Sequence, residues 1–295
     1  NYTCTITDAN GCTTTQLVDI YEPTILNSNI LYVDSVDCNG GSDGSAEVVG
    51  TGSTPAYSYL WSNGQSGSIL QNVSAGNYTC TITDYNNCIT TIDVDVEEPL
   101  ILTSSILSID SVDCNGQSNG GGEVSVSGGT FPYSYLWDNG QTGSVLQNVS
   151  AGTYVCTITD NKGCFTTQSL IVNEPIILII NLTSVNISCN GLSDGTATSF
   201  VSGGTPSYTY IWSNTSSNSV ASSLGLGSYS CTVVDANGCG SSSNIITITE
   251  PTILSSSIIS VDSVDCNAAS DGSSLVQGVG GTPPYSYLWD NGQSG

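Results

Sequence analysis

The chain has 295 residues and carries 25 acidic side chains against a single cation, Lys162, which gives a net charge of −24 at pH 7. Nucleic acid and anionic membrane surfaces are disfavoured as partners, because binding to either needs clustered Lys and Arg side chains. Histidine is absent, which excludes a histidine base or metal ligand. No apolar run reaches the roughly 18 residues of a membrane-spanning helix, so we expect no membrane insertion.

The sequence repeats itself about every 76 residues, as its Glu-Pro pairs and tryptophans show. The recurring positions are Glu22-Pro23, Glu98-Pro99, Glu174-Pro175 and Glu250-Pro251, together with Trp61, Trp137, Trp212 and Trp289. We predict complete repeat domains at 24–99, 100–175 and 176–251, the end of a preceding repeat at 1–23 and the start of a following repeat at 252–295. A period of this length suits a small domain that folds by itself better than a solenoid unit.

The pattern within each repeat predicts β-strands and no helix. Side chains alternate with a period of two, as where Tyr78, Cys80 and Ile82 share one face, and Asn-Gly turns punctuate the chain. In the first repeat we predict about seven strands, the first of them broken in two, at 25–35, 44–51, 56–62, 67–73, 77–83 and 88–96. Short strands at this spacing predict an all-β fold, a tandem array of immunoglobulin-like sandwiches.

The tryptophan of each repeat has two interpretations. As a core residue it would cover the sandwich interior, because its large side chain dominates the packing of a small domain; this is the interpretation we favour. As an exposed platform it would stack on sugars. Tyr78 stands two residues before Cys80, as in the tyrosine corner of immunoglobulin-like domains.

Regularly placed cysteines indicate disulfides in an oxidising compartment rather than metal thiolates, because CxxC pairs are missing. Each repeat has three. If the hairpin loop before Cys88 has an even number of residues, Cys88 points away from Cys80, and Cys38 is the better partner; an odd-numbered loop reverses that argument. The predicted pairs are Cys38–Cys88, Cys114–Cys164 and Cys189–Cys239.

One cysteine of each repeat has no predicted disulfide partner; these cysteines are Cys4, Cys80, Cys156 and Cys231. We expect a buried thiol that takes the place of a small apolar side chain. A bond to a neighbouring chain and a swapped pairing within the repeat are the alternatives.

Acidic side chains near the repeat junctions raise the question of a cation site. Asp34, Asp37, Asp84 and Glu98 offer the oxygen ligands that Ca²⁺ prefers. We favour solvated surface charges and turn formers, because the carboxylates are dispersed and no Asp-x-Asp-x-Asp-Gly loop exists. The sequence therefore predicts no cofactor, with calcium as the alternative.

The ordered motifs CNG, DGS, "GG-T-PY-Y-W-NG", "AG-Y", "NGC" and a final "EP" resemble the SprB repeat of secreted Bacteroidetes surface proteins; "YLWSNG" also resembles PKD-like domains. The resemblance covers every repeat. It implies an extracellular adhesin or filament on the bacterial cell surface, of the kind found in gliding bacteria and exported by a type IX system. It also implies a disulfide between the CNG and NGC cysteines. Two features depart from it: the third cysteine, and Asn119 in place of the Asp of "SDGS".

Repetition itself argues against an enzyme, which needs one convergent set of groups. A tandem array supplies length and multivalency. We therefore predict a structural stalk or filament of an adhesin, with neighbouring repeats as partners, identical chains in a filament as further partners, and gliding or surface attachment as its setting. A multivalent carbohydrate-binding array that contacts surface polysaccharide is the alternative, and an ice- or mineral-binding surface is a weaker third.

Overall fold

A computed structural model describes residues 1–295, and every regular element in it is a β-strand. No element is a helix that could cross a membrane. The strands are β1 Tyr2–Thr7, β2 Thr13–Val18, β3 Asn27–Asp34, β4 Gly44–Thr51, β5 Ser58–Trp61, β6 Ile69–Val73, β7 Gly76–Thr83, β8 Ile89–Val96, β9 Thr103–Asp110, β10 Gly120–Ser127, β11 Ser134–Trp137, β12 Val145–Val149, β13 Gly152–Thr159, β14 Phe165–Val172, β15 Ile179–Val185, β16 Gly195–Ser202, β17 Thr209–Trp212, β18 Val220–Leu224, β19 Gly227–Tyr229, β20 Cys231–Val234, β21 Gly240–Ser242, β22 Ile246–Ile248, β23 Ser255–Asp262 and β24 Ser273–Val279.

The first complete repeat forms two three-stranded antiparallel sheets, ordered β3-β4-β6 and β5-β7-β8. The same orders recur as β9-β10-β12 and β11-β13-β14, and as β15-β16-β18 and β17-β20-β21. In the third set β19 and β22 pair separately. Residues at the two ends of the sequence form the pairs β1-β2 and β23-β24. The predicted all-β, immunoglobulin-like sandwich fold is confirmed.

The alternating sequence explains the core of the first repeat. Ala46 and Val48 on β4 face Ile82 on β7 and Val94 on β8, and all four side chains are fully buried. Their neighbours along each strand point to solvent, as the period of two requires. Trp61 completes this core with 1% of its surface exposed. Trp137 and Trp212 are buried to the same degree, so the prediction of core tryptophans is confirmed for the three complete repeats, whereas Trp289 is half-buried.

The predicted elements differ from the structure in their number of strands and agree with it at the tyrosine corner. The repeat has six strands rather than seven, because β3 is continuous and carries a bulge between Ile30 and Tyr32 instead of a break. An extra residue in one strand bends it without ending the pairing. The tyrosine corner is present: the Tyr78 hydroxyl donates to the Ser74 carbonyl at 3.0 Å, and Tyr229 donates to Gly225 at 3.1 Å.

Contacts divide the chain into two compact units. The first comprises 1–108, 123–146 and 154–170, and the second comprises 109–122, 147–153 and 171–295. The division runs through residues 100–175. The repeat boundaries inferred from the sequence therefore stay predictions.

Candidate functional site: the Cys-Asn-Gly turn

The Cys-Asn-Gly turn of each repeat is fastened to the Glu-Pro pair that ends the same repeat. In the first repeat, Asn39 Nδ2 donates to the Pro99 carbonyl at 3.0 Å, and the Gly40 amide donates to Glu98 Oε2 at 2.6 Å. Both bonds recur, from Asn115 to Pro175 and Gly116 to Glu174, and from Asn190 to Pro251 and Gly191 to Glu250. Hydrogen bonds therefore join the Cys-Asn-Gly turn near the start of each repeat to the Glu-Pro pair at its end.

A second acceptor fixes the start of this turn. Asp43 Oδ1 accepts the Asp37 amide at 3.1 Å, and Asn119 Oδ1 accepts the Asp113 amide at the same distance. The position needs a side-chain oxygen and not a negative charge, so the asparagine at 119 keeps the interaction.

The cysteines of these turns bond to the following repeat and not to their own. Cys38 is joined to Cys164, and Cys114 to Cys239, each with a Cα–Cα distance of 5.6 Å. The sequence separations are 126 and 125 residues. The predicted pairs Cys38–Cys88, Cys114–Cys164 and Cys189–Cys239 are therefore wrong, although four of the six cysteines are in disulfides.

The geometry of β8 explains the error. The turn at Cys38 is bonded to Glu98 and Pro99, just beyond the end of β8, whereas Cys88 directly precedes its beginning. Eight residues of strand span about 26 Å, and a disulfide needs Cα atoms within about 7 Å. Cys38 and Cys88 lie at opposite ends of one sandwich and cannot bond.

The parity argument failed at the hairpin before Cys88. Asp84 and Cys88 face each other, since the Asp84 amide donates to the Cys88 carbonyl at 3.0 Å, which leaves a loop of three residues, 85–87. An odd-numbered loop places Cys88 on the side of Cys80, the case that reverses the argument. Asn87 adopts φ +69° in this loop, a conformation that asparagine tolerates.

The NGC cysteines, as we call those at the position of the NGC motif whatever residues precede them, are Cys88, Cys164 and Cys239 in the complete repeats. An aspartate four residues before each of them holds that cysteine in place. Asp160 Oδ1 accepts the amides of Lys162 and Cys164, both at 2.9 Å, and its Oδ2 accepts the Thr130 amide at 2.8 Å. Asp84 and Asp235 make the corresponding bonds. All three side chains are buried. The sequence analysis did not predict that these aspartates hold the cysteines, although the constant four-residue spacing from Asp to Cys in "TDANGC" indicates it.

Hydrogen bonding lowers the pKa of these buried carboxyl groups. The Ser53 hydroxyl, 2.6 Å from Asp84 Oδ2, is the largest influence on the pKa of Asp84. For Asp160, burial is the largest single influence and acts to raise the pKa, but the amides of Thr130, Cys164, Lys162 and Gly163 together outweigh it and lower the pKa. Donors that point at a carboxylate favour its charged form. Each aspartate is thus held as an anion at the base of the turn.

The polar contacts beside the two disulfides differ. Lys162 Nζ lies 2.5 Å from Asp37 Oδ1, with both side chains over 40% exposed. At the second disulfide, Asn237 Nδ2 donates to the Asp113 carbonyl at 3.0 Å. An exposed ion pair contributes little to stability. The disulfide is the feature that the two sites share.

The structure separates Asp84 from the other three carboxylates considered for calcium. Asp34, Asp37 and Glu98 line one open groove of about 380 Å³, which Lys162 also lines, and Asp84 is held in its own loop. No three carboxylates or cysteines come together in a cluster that could hold a metal ion. Glu98 and Asp84 already accept hydrogen bonds from the chain.

The third cysteine of each complete repeat is free and fully buried. Cys80 lies opposite Trp61 across the sheet, Cys156 opposite Trp137, and Cys231 opposite Trp212. Burial raises the pKa of the three thiols. Cys4 is free and exposed, as are Cys12, Cys88, Cys189 and Cys266.

The family described as "SprB repeat" matches the chain four times, at 32–66, 106–142, 181–217 and 258–294. The chain belongs to the SprB repeat family. Each match includes a Cys-Asn turn and the strand with the repeat's tryptophan or its equivalent. SprB repeats are features of cell-surface adhesins, so the chain is a repeat protein of the adhesin type.

Solved structures resemble the chain only weakly. The three N-terminal domains of the bacteriophage RB49 Highly Immunogenic Outer Capsid protein share 12% identity over 77% of this chain and 98% of theirs, with a TM-score of 0.39. Sidekick-1 immunoglobulin domains 1–5 share 13% over 83% of this chain and 65% of theirs, with a TM-score of 0.34. Drosophila OTK extracellular domains 3–5 share 13% over 71% and 92%, with a TM-score of 0.26. Scores below 0.5 carry no functional argument. No curated protein matches the chain.

Proposed function

We propose that this chain is a non-catalytic, load-bearing stalk of an extracellular bacterial adhesin, in which disulfides carry tension from one SprB repeat to the next. Attachment of a bacterial cell to a surface, including attachment during gliding, is the setting that the family favours. The observation that carries the proposal is the staggered order of the bonds: Cys38, Cys114, Cys164 and Cys239 alternate along the sequence.

Staggering gives the chain two covalent routes between Cys38 and Cys239. One runs through the first disulfide and then along residues 164–239, and the other runs along residues 38–114 and then through the second disulfide. The routes contain 239 − 164 = 75 and 114 − 38 = 76 residue steps, against 239 − 38 = 201 for the backbone alone. Each route limits the distance to which Cys38 and Cys239 can be pulled apart, even if every sandwich between these two residues unfolds.

The interior of the sandwiches supports a structural role over sugar binding through tryptophan. Trp61, Trp137 and Trp212 have at most 2% of their surface exposed, and an aromatic platform must be open on one face to stack on a sugar ring. A glycan-binding array would have to use other side chains. The buried aspartates of the NGC loops are bonded to amides on all sides, which suits holding a loop better than moving protons.

Single-molecule extension of the chain held at its two ends tests the proposal. The oxidised protein should stop at a contour length about 440 Å shorter than the reduced protein, because the shorter route withholds 201 − 75 = 126 residue steps of about 3.5 Å each. Equal lengths in the two states would refute a load-bearing role for the disulfides.

Removing the bonds singly provides the matched control. The C38S/C164S and C114S/C239S variants should each stop at the length of the oxidised wild type, because one short route remains in each. Only the variant with all four substitutions should reach the length of the reduced chain. A gain of length in either two-site variant would contradict the staggered arrangement.

A further inference from the structure

One polar side chain lies inside the core of the third repeat. Ser199 on β16 is 5% exposed, and its hydroxyl has no hydrogen-bond partner. The equivalent residues are Val48 in the first repeat and Val124 in the second, whose amides, like that of Ser199, each donate to a serine carbonyl. A buried hydroxyl without a partner is destabilising, because it loses the hydrogen bonds that water makes to it in the unfolded chain. The core of the third repeat is therefore weaker at this position than the other two.

The last strand of the third repeat contains one extra residue. From the NGC cysteine to the proline of the Glu-Pro pair there are 99 − 88 = 11 and 175 − 164 = 11 residue steps in the first two repeats, but 251 − 239 = 12 in the third. β8 and β14 are each continuous over eight residues, whereas their equivalent is divided into β21 and β22. β21 also begins with Gly240 where β8 and β14 begin with Ile89 and Phe165, and glycine weakens a strand.

The interruption of this strand falls beside Cys231. In the first repeat β7 and β8 form eight continuous pairs, among them Cys80 with Ile92. In the third repeat the pairs cover 227–229 and 232–234 and do not include Cys231. The Cys231 amide donates instead to a side chain, Ser243 Oγ, at 2.9 Å, and one backbone bond remains, from the Ser243 amide to the Cys231 carbonyl at 2.8 Å. The strand beside Cys231 is thus held less firmly than the strand beside Cys80.

The buried hydroxyl and the interrupted strand meet at the Cys231 thiol. Burial raises the pKa of Cys231, and the adjacent Ser199 hydroxyl acts in the opposite direction. Sulfur is a weak hydrogen-bond acceptor, so the thiol does not replace the partner that Ser199 lacks. An unsatisfied polar group therefore faces a nucleophilic atom at the place where the sheet is weakest.

We propose that residues 240–248 separate locally from β19 and β20, and that Cys231 is then a modification site for small-molecule disulfides. Segments with weak pairing open more often than the whole protein unfolds. The interruption already divides the pairing into two short pieces of three pairs each, so each piece can open at a low cost. Cys80 and Cys156 lack both the interruption and the buried hydroxyl, and they stay protected.

The modification is a thiol–disulfide exchange, for which oxidised glutathione is the probe. The Cys231 thiolate of the open repeat attacks one sulfur of glutathione disulfide, a mixed disulfide forms, and the second glutathione leaves as a thiolate that takes up the proton lost by Cys231. Cys231 is oxidised and the departing glutathione is reduced. The added group does not fit at a position with 0% exposure, because a close-packed core has no room for extra atoms. The modified repeat therefore stays open until a thiol removes the group.

Reaction rates of the three buried thiols test the proposal. The exposed thiols of the native protein are first blocked by a brief treatment with iodoacetamide, and oxidised glutathione is then added. Mass spectrometry of peptic peptides reports the glutathione bound at Cys80, Cys156 and Cys231 separately. Cys231 should react at least about tenfold faster than the other two, in line with the cost of an unsatisfied buried hydroxyl. Equal rates at the three cysteines would overturn the proposal.

Two variants that remove the defects, and one control, link the reaction to its cause. Ser199→Val restores the valine of the other cores, and deletion of Asn244 restores the spacing of 11 steps. Each should slow the reaction of Cys231 at least about tenfold. Ser202→Val, at the exposed end of β16, should leave it unchanged. An unchanged rate in S199V or in the deletion variant would overturn the proposal.

The dependence of these rates on urea distinguishes local opening from unfolding of the whole repeat. A local opening exposes little surface, so the Cys231 rate should rise less steeply with urea than the rates at Cys80 and Cys156. Equal slopes at the three cysteines would mean that Cys231 reacts only from an unfolded repeat, which would refute the local opening. None of these outcomes depends on whether the stalk carries load.

Discussion

The carboxylate of Glu98 accepts a hydrogen bond from the backbone amide of Gly40 at 2.6 Å, across 58 residues of sequence. Glu98 is the residue that restricts the junction before Pro99, since the residue before a proline is held extended. Gly40 follows the cysteine that bonds to the next repeat. One hydrogen bond thus joins the end of a repeat to the turn that carries its cross-link.

Glu98→Gln should lower the free energy of unfolding by about 1 kcal/mol, because it replaces a charge-assisted bond on the surface with a neutral one. Denaturant unfolding of the two variants E98Q and E97Q measures the effect. Glu97 is the adjacent exposed glutamate, and only its backbone carbonyl, which accepts the Val36 amide, is bonded. Equal effects of the two changes would show that net charge, and not the Gly40 contact, is responsible.

Stability should fall in acid because of the aspartates that hold the NGC loops. The lowered pKa values of Asp84, Asp160 and Asp235 mean that the folded state binds protons less readily than the unfolded chain. The resulting stability is complete above the unfolded pKa of about 4 and is lost as the pH falls through the lower folded values.

Asp160→Asn tests this assignment, with unfolding measured by denaturant at pH 7 and pH 3. The variant should be less stable than wild type at pH 7, since an amide nitrogen cannot accept the Thr130 or Cys164 amides, and should lose less stability on acidification. Asp95→Asn, on the exposed face of β8, is the control and should retain the wild-type response. An unchanged pH dependence in D160N would disprove the role of Asp160.

Neighbouring residues on β11 should respond very differently to truncation. Trp137→Ala removes a side chain with 1% exposure whose Nε1 donates to the Gly143 carbonyl at 3.0 Å, and should cost about 3–5 kcal/mol. Leu136→Ala, at 56% exposure, should cost within about 0.5 kcal/mol. Thermal or denaturant unfolding measures both, and comparable losses would contradict the burial of the tryptophan.

Two glycines with the same backbone conformation should differ as sites for alanine. Gly128 has φ +74° and a Cβ there would overlap the Ile101 carbonyl, whereas Gly140 has φ +87° with open space around it. Gly140→Ala should cost about 1 kcal/mol for the left-handed conformation alone. Gly128→Ala should cost at least about 2 kcal/mol more, because backbone must move. Similar unfolding midpoints would rule out the close approach at Gly128.

Lysyl endopeptidase offers a direct test of the disulfide order, because Lys162 is the only cation of the chain and is exposed. Cleavage after Lys162 should leave the two fragments linked under non-reducing conditions in wild type, in C38S/C164S and in C114S/C239S. They should separate only in the variant with all four substitutions. Under the pairing within repeats, C114S/C239S would also separate, so gel electrophoresis of that variant decides between the two arrangements.

The amino-acid sequence by itself determined the period, the strands and the side of each strand that is buried. These properties are local: alternation over six residues decides which of Tyr78, Cys80 and Thr79 points inward, and Asn-Gly pairs mark the turns. The buried tryptophans followed because so large an apolar side chain on a short strand has few other places to go. Recurrence at 76 residues then extended each result to every repeat.

Only the tertiary structure decided which cysteines meet. The face of Cys88 depends on whether its loop has an even or odd number of residues, and one residue reverses it. The partner of Cys38 depends on which end of a sandwich each turn occupies, and that is fixed by a hydrogen bond 58 residues away, from Gly40 to Glu98. The repeats are also so similar that Cys88 and Cys164 occupy equivalent positions in the sequence pattern. Whether Cys38 bonds to Cys164 or to Cys88 therefore depends on where the folded chain places each turn, which cannot be predicted from a local sequence pattern.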